Sequence, residues 1–279
     1  MSNDCKSCGA VLHGRFCSAC GEKSLMPDDH SIRHYLGSLV NAFTFVDSKF
    51  WHTLKAVAVR PGELSAAYMD GRRTRYMRPV AFFFLANFLY FLAPVFETFT
   101  LTLYAHMNLM PYSDWAAVQV NDHLTSSGTS LDVFEARYRT ASSNNAKLLL
   151  VFVVFMLSLP LGLLYIGKRS YFSAYVTAAF ELMAFYLWVC TLALGLAFAA
   201  LVMALEHLGT PASHLMEDAY TIGPLLALHF WATISIGRRF FGCSWPGAIW
   251  RSLALMFGVI FAITSYRLLL FLVTFWQLT

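Results

Sequence analysis

The sequence predicts an all-α integral membrane protein of about five transmembrane helices with a small zinc ribbon at its N-terminus. Three observations carry that expectation. Hydrophobic residues make up 58% of the chain and charged residues only 13%, against about half and about a quarter in soluble domains. The apolar residues stand in runs long enough to cross a bilayer. Ahead of all those runs lie two Cys-x2-Cys pairs.

The first element (1–24) is Cys5-Lys6-Ser7-Cys8-Gly9 followed by Phe16-Cys17-Ser18-Ala19-Cys20-Gly21. Each tight turn presents two thiolates to one ion, and the following glycine lets the backbone curl back toward the sulfurs. Four thiolates saturate tetrahedral Zn2+ through Cys5, Cys8, Cys17 and Cys20, so the ion is structural and keeps no open position for water. A rubredoxin-like iron site is the competing occupant. So small a module folds only with its metal. No apolar signal-peptide core precedes it, so the N-terminus is expected in the reducing cytoplasm, where clustered cysteines read as ligands before disulfides. His30 and His34, at i and i+4, lack a third ligand and read as a solvated pair.

The second element (30–78) reads as three short amphipathic juxtamembrane helices. Apolar residues recur at helical spacing from Ile32 to Val46 and again from Phe50 to Ala58. Arg60-Pro61-Gly62-Glu63 then restarts the chain, with proline suited to a first helical position and Gly71 to the position just past the end. All three are too short to span a bilayer and should lie on its surface or pack beneath the spans.

The third element (80–279) holds the spans: Val80–Thr98, Leu148–Ile166, Phe172–Leu205 as one tilted helix, Tyr220–Gly237 and Leu253–Trp276, with a long outer loop at 104–146. Inside that loop, Ser130-Leu131-Asp132 leading to Phe134 and Tyr138 reads as one amphipathic helix. Lys and Arg concentrate before the first span and in the second–third and fourth–fifth connections. By the positive-inside rule this puts the N-terminus in the cytoplasm and the C-terminus outside.

The knuckles, Arg60-Pro61-Gly62, and the run from Gly71 to Pro79 entering a phenylalanine-rich span resemble a family. It comprises bacterial zinc-ribbon-containing multi-span membrane proteins, catalogued only as a domain of unknown function. The resemblance covers about the first hundred residues, and the remaining spans in layout. It implies residence in a bacterial inner membrane and supplies no catalytic residues.

Two groups of side chains invite a function. Arg72, Arg73, Arg75 and Arg78 lie where the inner leaflet begins, as a topological anchor or as a site for anionic headgroups. Asn87, Ser158 and His229 stand at a common depth of about 12 Å, with Arg267 deeper; Glu181 joins them if the third span begins near Ser173 and is interfacial if it begins at Met183. Ionisable groups inside a membrane are costly, so Glu181, His229 and Arg267 are expected to face one another in the bundle. There is no Ser/His/Asp set, phosphate loop or HExxH. Membrane lipids are the expected partners, an oligomer is allowed, and the weakly charged ribbon does not read as a nucleic-acid surface. The leading expectation is a non-enzymatic scaffold or regulator whose ribbon docks a cytosolic protein. The alternative is a transporter or lipid-handling protein using the buried polar layer.

Overall fold

The computed structural model describes residues 9–11, 18–19, 49–72, 75–92, 99–210, 212 and 218–279. The chain divides into two units, Met1–Lys49 and Phe50–Thr279. Cys5, Cys8, Cys17, Cys20, His30, His34 and the first amphipathic helix lie outside the described residues. Of the first unit, one conformational fact bears on the knuckles: Gly9, directly after Cys8, has φ 74°.

The second unit is all-helical among its described residues: α1 (49–59), α2 (Glu63–Met69), α3 (Pro79–Leu92), α4 (Leu103–Asn108), α5 (Ser113–Ser127), α6 (Leu131–Leu164), α7 (Phe172–Phe185), α8 (Leu194–His207), α9 (Asp218–Arg239) and α10 (Trp245–Leu278). A π-helical segment, Tyr186–Ala193, joins α7 to α8. Among the described residues three helices are long and apolar enough to cross a membrane: α6, the continuous Phe172–His207 rod and α10. α3 is apolar but has 14 residues, about 21 Å. α9, with 22 residues, is about 33 Å long, but carries Asp218, Arg238 and Arg239 at its ends.

The long loop expected at 104–146 is largely helical. α4 and α5 fill its first part, and residues 131–146 run unbroken into the span that was expected to begin at Leu148. Ser130 stands at the N-cap of that helix, and no glycine or proline interrupts it before Pro160. At 34 residues α6 is about 51 Å long, well beyond a core of about 30 Å. Its early polar turns therefore project from the bundle. There, Phe134 and Tyr138 pack with Leu103, Ala116, Val120, Phe271 and Phe275 as a second small core.

α6 and α10 run antiparallel. Arg251 Nε donates to Leu164 O (2.7 Å) at one end, and Asn145 Nδ2 donates to Gln277 Oε1 (2.8 Å) at the other. Pro160 lies against Gly258, where a Cβ would come within 2.7 Å of the proline ring. Residues of α7 are buried almost throughout, whereas in α8 only Gly195 is.

Arg60, Arg169, Arg238, Arg239 and Arg251 gather at one end of this bundle. Arg169 donates twice to Phe240 O, and Arg239 lies 4.0 Å from Glu63. α1 and α2 pack at this basic end, burying Val57, Leu64 and Ala67. Phe50 meets Trp188 and Phe82 at 5.3 and 6.1 Å. α2 starts at Glu63, later than Pro61 suggests, because Gly62 before it is left-handed (φ 94°). It ends as expected: Gly71 has φ 83°, and Arg72 N reaches back to Ala67 O (2.8 Å).

Candidate functional site

Arg60-Pro61-Gly62-Glu63 forms a wedge between α7 and α9. Ser235 Oγ on α9 donates to Pro61 O at 2.8 Å. A Cβ on Gly62 would stand 2.9 Å from Ile236 Cα, so only glycine fits both the conformation and the approach. From α7, Glu181 Oε1 accepts from Gly62 N and Oε2 from Ser65 N, both at 2.7 Å. The carboxylate, wholly buried, satisfies amide donors that the helix start leaves open, at the end where the helix dipole favours negative charge. Glu63 faces outward, accepting from Tyr76 Oη at 2.9 Å and lying 3.7 Å from Arg60.

This overturns the expected three-way meeting of Glu181, His229 and Arg267. Glu181 is committed to the wedge. His229 Nδ1 instead pairs with Tyr186 Oη at 2.6 Å, with the rings stacked at an interplanar angle of 6°. Arg267 lies toward the opposite end, its Nη1 4.0 Å from Met110 Sδ. Asn87 Nδ2 donates to Lys147 O at 2.9 Å, and Ser158 Oγ to Phe155 O in its own helix. The expected shared layer is not a shared site: Glu181, His229, Asn87 and Ser158 each bond a different partner.

His229 and Arg267 do share one feature. Both line a cavity of about 590 Å³ between α6, the α7–π segment, α9 and α10. Its walls are mainly apolar and include Leu157, Met183, Leu225, Met256 and Val259. Tyr186, Cys190 and Thr191, three of its polar wall residues, belong to the π segment, a widened turn of the kind that recurs at functional sites. Ile222 and Leu226 on α9 and Ile260 on α10 line it and are also exposed on the outside. The cavity is therefore open to the outside along its α9 and α10 walls. Periodicity missed the π segment, because π and α turns look alike in an apolar run. Tyr186 was the available signal, a hydroxyl that needs a partner inside a span.

Of the basic run, Arg72, Arg75 and Arg78 are exposed, while Arg73 lies outside the described residues. Arg72 pairs with Asp70 at 3.2 Å, and Arg75 lies 5.4 Å from the Tyr76 ring. Cys190 and Cys243 are buried free thiols. Among the described residues no group of three His, Cys, Asp or Glu side chains could hold a metal ion. In the cap outside the spans, His106 Nδ1 contacts Tyr112 Oη at 2.9 Å. Burial, and then the Arg267 charge, depress the His106 pKa to about 4.

Residues 47–91 match a family described as a protein of unknown function (DUF3667). The matched stretch contains α1, α2, the wedge and most of α3. No protein of curated function and no solved structure matches the chain.

Proposed function

We propose that this chain is a non-enzymatic, lipid-handling protein of a bacterial inner membrane that takes an acyl chain into the cavity between α9 and α10. The exposed apolar rim of that cavity carries this reading. A cavity of about 590 Å³ lies within the roughly 300–1,000 Å³ of small-ligand sites. Its mouth is framed by Ile222, Leu226 and Ile260 on helices that a bilayer would surround. An apolar chain can enter there without crossing water, and the Tyr186–His229 pair supplies a polar end to the pocket. The basic ends of the helices support an N-terminus in the cytoplasm and a C-terminus outside.

The test is photo-crosslinking of the full-length protein in vesicles containing phospholipid with a diazirine in the acyl chain. Adducts should concentrate on Ile222–Leu226 and Val259–Ile263, and Leu225→Trp, which fills the pocket, should remove them. Labelling spread evenly over exposed helix faces, and unchanged by Leu225→Trp, would sink the reading.

A zinc ribbon that docks a cytosolic partner is the second part of the proposal. The left-handed Gly9 directly after Cys8 supports it, since a Cys-x2-Cys-Gly knuckle turns back on itself at that position.

A further inference from the structure

Four arginines crowd the ends of α6, α9 and α10, and they divide by what their donors reach. Arg169 is spent on Phe240 O, and Arg251 on Leu164 O and Gly247 O, closing helix ends. Arg238 instead lies over Trp245, its guanidinium carbon 3.8 Å from the ring centroid. Stacking occupies the face of a guanidinium and leaves its in-plane N–H donors available. Among the described residues those donors meet no acceptor. Arg239, next in sequence, has among the described residues only the distant Glu63 carboxylate (4.0 Å) and remains half-exposed.

Both arginines line a surface cavity of about 500 Å³ together with Trp231, Ile234, Ser235 and Trp245. The lining is graded. Trp231 and Ile234 lie toward the middle of α9 and the arginines at its end, over about 12 Å of helix. Exposed tryptophans on both helices are the side chains that settle at the level of lipid headgroups. The end of α9 would ordinarily repel an anion through its carbonyls. Here Arg169 covers Phe240 O, while Phe240 N and Cys243 N cover Ile236 O and Gly237 O.

We propose that this pocket is a site for an anionic phospholipid, its phosphate held by Arg238 and Arg239 and its chain laid along Trp231 and Ile234. The site is separate from the cavity between α9 and α10, from which it differs in lining and in ligand charge.

The experiment is native mass spectrometry of the full-length protein released from detergent with equal phosphatidylglycerol and phosphatidylcholine. The wild type should retain phosphatidylglycerol in preference. Arg238→Gln should reduce that preference about fivefold, and adding Arg239→Gln about fivefold again. Arg139→Gln, an exposed arginine on α6 outside the pocket, should leave the preference unchanged. Millimolar inorganic phosphate should not displace the lipid; displacement would mean that a free phosphate, not a lipid, is the ligand. Equal loss with Arg139→Gln would reduce the pocket to general surface charge. Ile234→Ala keeps both arginines and should shorten lipid retention, which gives a reading even if the double variant folds poorly.

Discussion

Glu181 Oε1 lies 2.7 Å from Gly62 N, although 119 positions separate them in the chain. The carboxylate also holds Ser65 N, so one side chain of α7 fixes the start of α2 at two points. Because α2 is only seven residues long, it has little stability of its own. The wedge depends on what receives it.

Glu181→Gln should therefore loosen the basic end of the bundle without unfolding the spans. The amide offers one acceptor and sets an NH2 against a backbone N–H. Hydrogen bonds to charged groups contribute about 1.5–3 kcal/mol each, so a loss of about 3 kcal/mol is expected. It should appear as a lower melting temperature in detergent and as faster amide exchange at Gly62 and Ser65. An unchanged exchange rate at those two amides would show that the wedge is held by packing alone.

The N-terminal cysteines should carry one zinc per chain, measured by elemental analysis of the purified protein. Cys17→Ser should lose that metal and make the segment before Lys49 more sensitive to protease, with the spans still inserted. Iron in place of zinc would retain the thiolate site and change its occupant. Metal content unaffected by Cys17→Ser would remove the site.

Stability of the cap should fall with acid. The His106 pKa is held near 4 in the fold, against 6.5 ordinarily. Between those values the unfolded cap takes up a proton that the folded cap refuses. Stability is therefore full above pH 6.5 and declines as pH drops toward 4, by about 3 kcal/mol at most. Amide exchange across α4 and α5 should accelerate over that window, and His106→Gln should flatten the response. Acceleration that persists in His106→Gln would assign it to other groups.

Local chemistry was legible where neighbours in sequence decide the outcome. Gly71 ends α2 because a left-handed residue is needed there, and Ser130 precedes α6 at its N-cap. Where the partner lies far along the chain, sequence had no purchase. Nothing in the segment around Glu181 announces the amides of Gly62 and Ser65. Phe134 and Tyr138 showed one apolar face, but Phe271 and Phe275, which cover it, had read as ordinary span residues. Estimates of depth grouped Glu181 with His229. Height along a bundle says nothing about azimuth, and azimuth sends one to the wedge and the other to Tyr186.

The second half of the Phe172–His207 rod stands almost clear of its neighbours, with Leu196, Leu201 and Met203 turned outward and only Gly195 buried. Such a helix would clump in water, yet in hydrocarbon it calls for no companion, because lipid tails are as apolar as leucine. Its solvent is therefore part of its fold. A detergent shell too thin to wrap α8 should make purified protein self-associate through this arm while the rest of the bundle stays intact.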